Sequence, residues 1–157
     1  MKRFGVLLLT SVLSVVLMTF TGCKKYEDIK VVSGKMESLN VKGLRAVEAT
    51  FTVEVDNPAG KVVFEELNGV LKHSGKVIGN VVVDPFVLSP KTIADYNVKA
   101  KFELDKSIGV MYLMTFMDVR KLKECTFDLS ARCKAAGIKV KKEYKDLPVK
   151  NLLEEYL

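Results

Sequence analysis

The chain has 157 residues, 48% of them hydrophobic and 28% charged, which suits one folded domain and excludes a disordered polar polymer. Its formal charge is +6, from 25 basic and 19 acidic residues spread along the chain. The densest basic stretch, Lys139-Val140-Lys141-Lys142, reads as the solvated face of a strand, which argues against a nucleic-acid partner, since that needs a basic patch with aromatic platforms.

Met1-Lys2-Arg3 is a short positive start, and Phe4 to Thr21 carries no charge. The segment ends Phe20-Thr21-Gly22-Cys23, followed by Lys24 and Lys25. A basic start, an apolar run and small residues before a cut make a secretory leader over residues 1–22. The Thr-Gly-Cys ending resembles a lipobox, with Phe20 where leucine is usual; the resemblance implies that Cys23 carries the lipid and opens the mature protein. The competing reading is an uncleaved membrane helix, because residues 4–22 would span about 28 Å. Losing Lys2 and Arg3 with a leader leaves 23 basic residues against 19 acidic ones, a net +4. Residues 23–30 then form a polar tether, and 31–157 the folded domain. Two or three acyl chains would hold the domain firmly at the membrane. Position 24 is lysine and not the aspartate that retains many lipoproteins at the inner membrane, so the analogy favours the outer membrane.

Ile29 to Val41 is a weak first strand. Arg45 to Asp56 is the clearest element: Val47, Ala49, Phe51, Val53 and Val55 alternate with polar residues, the period of a strand with one wet face. Asn57-Pro58-Ala59-Gly60 ends it in a turn. Lys61 to His73 is a second strand, in which Gly69 marks a bulge or a close approach. Ser74-Gly75 is a hairpin turn leading into Lys76 to Asp84, and Pro85 and Pro90 bracket a short edge segment, Phe86 to Leu88.

Thr92 to Leu104 alternates again, with Val98, Ala100, Phe102 and Leu104 inward. Asp105 reads as an N-cap for one helix over Ser107 to Lys121, whose dense Ile, Val, Leu and Met residues predict burial against the sheets rather than a ligand groove. Glu124 to Lys134 places Cys125, Phe127, Leu129, Ala131 and Cys133 on one face; Ala136-Gly137 turns the chain into Ile138 to Val149. About seven short antiparallel strands, one helix and Gly/Pro turns predict an all-β fold, an immunoglobulin- or fibronectin-III-like sandwich.

No catalytic or metal constellation emerges. Cys125 and Cys133 stand about 26 Å apart along a strand, too far to bridge, and read as small buried hydrophobes. The lone histidine, His73, lies beside a turn and reads as solvated; there is no nucleophile elbow, Walker loop or dinucleotide glycine loop. The reading is therefore non-enzymatic, with no cofactor.

The run Ala49-Thr50-Phe51-Thr52-Val53-Glu54-Val55-Asp56-Asn57-Pro58 resembles the alternating strand and Asn-Pro of the type-2 late-embryogenesis-abundant family, also called the water-stress and hypersensitive-response (WHy) domain. Leu67-Asn68-Gly69-Val70, Ser74-Gly75-Lys76 and Val77-Ile78-Gly79 occupy the positions of that family's next strand, hairpin and Ile-Gly pair. Ala59 stands where the family often has a polar residue. The resemblance spans residues 30–150 and implies a sandwich with one helix, Asn57 and Pro58 as structural turn residues, and a protective role under drying or related stress, or contact with membranes and partners. Two functions follow as expectations: a lipid-anchored envelope protein protecting against stress, or an Ig-like binding module for a protein or lipid partner.

Overall fold

The structure, a computed structural model, describes residues 28–114 and 118–154. Eight strands form: β1 (Lys30–Lys42), β2 (Ala46–Asn57), β3 (Val62–His73), β4 (Lys76–Val83), β5 (Phe86–Leu88), β6 (Thr92–Leu104), β7 (Cys125–Ala135) and β8 (Ile138–Pro148). The described residues also include three short helical turns: α1 (Val110–Leu113), α2 (Val119–Leu122) and α3 (Val149–Glu154).

Alternation dictates these strands. In β7 the buried face is Cys125, Phe127, Leu129, Ala131 and Cys133, as expected, and in β2 it is Phe51, Val53 and Val55. Each large apolar side chain so buried stabilises the fold by roughly 1.5–3 kcal/mol relative to exposure. Ser74-Gly75 and Ala136-Gly137 both take positive φ at their two turn residues, the type I′ geometry that suits the twist of a hairpin.

Every pairing is antiparallel, and the strands run β1-β2-β6-β4-β3-β7-β8, with β5 paired to β3. β4 bonds to β6 on one side and β3 on the other, so the two halves are one continuous sheet. Residues of β2 and β6 (Phe51, Val53, Val98) nevertheless share a core with residues of β3 and β7 (Phe64, Leu67, Phe127, Leu129). The sheet is folded on itself at β4, an all-β sandwich joined along one side.

β1 shows why its sequence pattern is weak. Register shifts fall between Val31 and Ser33 and between Met36 and Ser38. They keep Val31, Gly34, Met36, Leu39 and Val41 opposite Val55, Val53, Phe51, Ala49 and Val47, the inward row of β2. Without the extra residues, strict alternation would turn half of that set to solvent.

The single helix expected over Ser107 to Lys121 is a correction. Gly109 is extended, with φ −73° and ψ 145°, so no helix runs unbroken from Ser107, and among the described residues of the segment Val110 to Leu113 and Val119 to Leu122 are helical. The Arg45 guanidinium takes the carbonyls of Asp105 and Ile108, which a helix would have offered to its own amides. Asp105 does accept the Ser107 amide, at 3.0 Å, but this closes a turn rather than capping a helix. The burial expected for the segment holds at Ile108, which is buried with Ile78 and Leu104, and fails at Met111 and Met114, which are 83% and 62% exposed.

Candidate binding site: an open apolar cavity between the layers

Between the two layers lies a cavity of about 220 Å³. Its walls come from the inward rows of β1, β2, β6 and β4 on one side and of β3 and β7 on the other; Ala49, Phe51, Val81, Ala100, Phe102 and Leu129 are among them. The lining is almost wholly apolar. Its one polar side chain, Asn68, has its amide tied to the Glu66 carboxylate at 2.9 Å.

Two glycines leave this space hollow. A Cβ on Gly69 would lie 1.9 Å from Phe127 Cζ, and one on Gly79 would lie 2.5 Å from Phe102 Cζ. The tips of both rings therefore occupy space that a side chain at either glycine would fill. Gly69 thus supports a close approach by a ring, while the bulge of β3 falls elsewhere, at Glu65 between Phe64 and Glu66; opposite Leu71 and Lys72 the extra residue is Ile78, in β4.

Among the cavity's lining residues only Leu39 is exposed, at 52%, so the mouth opens along β1. From there Leu39, Val41 and Leu44 form an apolar stripe running to the tip of the β1–β2 hairpin. A cavity of about 150 Å³ with such walls stays dry and accepts benzene, and pockets that enclose a whole drug-sized ligand run about 300–1,000 Å³. This one suits the end of an aliphatic chain, with the remainder lying along the stripe.

The residues singled out from sequence sit elsewhere. The leader 1–22, Cys23 and residues 24–27 lie outside the described residues. Asn57 is fully buried at the opposite end of the sandwich, where its amide donates to the carbonyls of Gly60 (3.0 Å) and Ser89 (2.9 Å) and its oxygen accepts the Ala59 amide (2.9 Å). Asn57 thereby clasps the β2–β3 turn to the β5–β6 connection, and the exposed Pro58 follows it in that turn.

His73 is not simply solvated: Nε2 lies 3.4 Å from Glu124 Oε2, and Nδ1 lies 3.4 Å from the Tyr112 hydroxyl. The group stands outside the cavity and links α1 to β3. Cys125 and Cys133 are buried free thiols; burial, aided by nearby Glu124 and Glu65 respectively, pushes them up to about 11 and about 12. Among the described residues no three His, Cys, Asp or Glu side chains gather as a metal site. Sequence reading missed the cavity because alternation marks which residues face inward but not how completely they meet; Gly69 and Gly79, each one strand away from a phenylalanine, were the available signal.

No family model matches the chain, and no curated protein does. Among solved structures, a protein from Archaeoglobus fulgidus is similar over 74% of this chain and 97% of its own, at 12% identity and a TM-score of 0.46. A beta-glucuronidase of glycoside hydrolase family 2 matches 76% of this chain but only 12% of its own length, at 8% identity and TM-score 0.33. A glycosyl hydrolase family 2 member from Bacteroides cellulosilyticus matches 71% of this chain and 15% of its own, at 10% identity and TM-score 0.30. At such identities and TM-scores none of these proteins lends its activity to this chain.

Proposed function

We propose that the chain is a non-enzymatic, lipid-moored binding protein of the cell envelope, whose sandwich holds the end of an aliphatic chain between its layers. The observation that carries this reading is the apolar cavity of about 220 Å³ opening beside Leu39. Each methylene taken from water into it stabilises the complex by about 0.8 kcal/mol. The mooring rests on the Phe20-Thr21-Gly22-Cys23 pattern, and the lack of an aspartate at Lys24 supports the outer membrane. Protection of the envelope under drying or osmotic stress, which the type-2 late-embryogenesis-abundant resemblance implies, is the physiological setting of this proposal. Among the described residues no helix is long and apolar enough to cross a membrane.

The test is to purify the full chain from native membranes, extract what is held without a covalent bond, and identify it by mass spectrometry. An aliphatic lipid is expected in the wild type and absent from Ala100→Phe, whose ring would occupy the cavity. Equal retention by both, or none by either, overturns the binding role. Cys23→Ser should abolish acyl labelling and processing; a wild-type mature protein that keeps Met1 would refute the mooring.

A further inference from the structure

Among the described residues, most of the large apolar side chains left exposed lie at one end of the molecule. Leu39, Val41 and Leu44 stand on the β1–β2 hairpin, and Val110, Met111, Tyr112 and Met114 on and just beyond α1. The other exposed ones, Val32, Val82, Val87, Ile93 and Ile138, fall one to a strand. Arg45, in the hairpin turn, donates to the carbonyls of Asp105 and Ile108 just before α1, so hairpin and α1 are held side by side. This is also where the stripe leading from the cavity ends.

The charges at this end are net positive: Lys42, Arg45, Lys76, Lys106, Arg120, Lys121 and Lys123 outnumber Glu48, Asp105, Asp118 and Glu124. Glu48 pairs with Lys42, Asp118 with Arg120, and Glu124 with His73 and Lys121, while Asp105, which accepts from the Ser107 amide and hydroxyl, keeps its charge and faces Arg45 and Lys76. Lys76, Lys106 and Lys123 form no ion pair within 4 Å among the described residues. Exposed leucine and methionine at an end with net positive charge match a surface that is apolar inside and anionic outside.

We infer that the end formed by the β1–β2 hairpin and α1 is a docking face for an anionic lipid bilayer, and that the cavity draws its chain from the bilayer touched there. The second clause rests on the proposed function; the first does not. The polypeptide enters the sandwich at the opposite end, where Lys30 pairs with Asp56, whereas Lys42 pairs with Ala46 at the docking end. The 13 residues of β1 span about 43 Å. Lys30 lies seven residues after Cys23, a link that reaches at most about 25 Å. A domain moored at Cys23 can therefore reach a second lipid surface with its docking end without moving its anchor.

The experiment uses the full chain, reconstituted through its N-terminal segment in phosphatidylcholine vesicles. A small fluorophore is attached at Leu44→Cys or, for the opposite end, at Lys61→Cys, and the chain with neither substitution sets the background. A second vesicle population, of phosphatidylglycerol carrying a doxyl-labelled lipid, is then added. Quenching is expected for the label at position 44 and not at 61. Replacing phosphatidylglycerol by phosphatidylcholine in the added vesicles should remove most of it. Lys106→Ala should weaken the vesicle affinity about fivefold, the effect of one lysine at an anionic surface. Paired Met111→Asp and Met114→Asp, at positions already exposed, should abolish docking while leaving the circular dichroism spectrum unchanged. No quenching, equal quenching at both ends, or equal quenching by neutral lipid overturns the inference. So does a change at position 44 that follows protein density without added vesicles, which would mark a second copy as the occupant. Ala100→Phe separates the two proposals: loss of retained lipid with quenching intact leaves docking standing, and loss of quenching in the wild type sinks docking whatever the cavity holds.

Discussion

Replacing Asn57 with alanine tests the clasp that closes the end of the sandwich opposite the cavity. The side chain is fully buried and makes three hydrogen bonds of 2.9–3.0 Å, to the Ala59 amide and to the carbonyls of Gly60 and Ser89. Truncation leaves an amide and two carbonyls without that partner, at about 1–3 kcal/mol for each group that water cannot reach. Some water will enter the space vacated by the amide, so the expected loss is about 3–5 kcal/mol, a large part of the roughly 5–15 kcal/mol that holds an ordinary domain together. With a urea dependence of about 2 kcal/mol per molar, the unfolding midpoint should fall by about 2 M at unchanged slope. Asn57→Asp sharpens the test. Its oxygen still accepts from Ala59, but the group that donated to Gly60 and Ser89 becomes a second oxygen. Burial against two carbonyls raises the pKa of the introduced carboxyl above its unfolded value. A raised folded pKa contributes stability that is present below the unfolded value and lost as pH rises through the folded one, so this variant should be most stable in acid and weakest near neutrality. Urea titrations at pH 4 and pH 8, followed by circular dichroism, measure both effects. A midpoint for Asn57→Ala within a few tenths of a molar of wild type, or an aspartate variant indifferent to pH, would refute the reasoning.

Gly69→Ala places a methyl group where the Phe127 ring now lies, so the ring must move; thermal melts should show a loss of about 1–3 kcal/mol, with part recovered in the double variant Gly69→Ala/Phe127→Leu. Cys125 and Cys133, whose thiols burial pushes up to about 11 and about 12, should ignore an aromatic disulfide reagent at pH 8 in the native protein and react fully in urea; rapid native labelling, or a Cys125–Cys133 disulfide in a mapped digest, would contradict the fold at β7. Burial opposes ionisation of Asp128, but the Asp146 amide and the Lys72 ammonium together outweigh it and hold the carboxyl below its usual 3.8. A lowered folded pKa contributes stability that is present above the unfolded value and lost as pH falls through the folded one, so Asp128→Asn should flatten the fall of the urea midpoint below about pH 4. An unchanged acid limb in that variant would show that other carboxylates govern it.

Local chemistry made several elements readable from sequence. β2, β6 and β7 alternate apolar and polar residues with period 2, and only a half-buried strand satisfies that pattern. Ser74-Gly75 and Ala136-Gly137 announce their hairpins because both residues of each turn take positive φ. The lysine-rich stretch in β8 is exposed as expected, and it guards an edge strand against pairing with another chain.

Other features depend on contacts between residues far apart in sequence. The methionine-rich segment after Asp105 has the apolar density of a core helix, yet Ile108, Ile78 and Leu104 already fill the end of the sandwich, and Arg45, some sixty residues upstream, occupies the carbonyls a longer helix would need. The two bulges of β1 exist to match the inward row of β2, so β1 viewed by itself does not alternate.

Sequence by itself determined which residues face inward along the best strands and where the chain turns, because strand periodicity and turn dihedrals are properties of neighbouring residues. Tertiary structure alone decided that the layers are one sheet folded at β4, that the tips of two phenylalanine rings occupy the space over glycines of adjoining strands, and that a cavity between the layers opens toward solvent beside Leu39. Those outcomes arise from packing between strands distant in the chain, where a gap is set by the summed shapes of both walls and by neither wall's pattern alone.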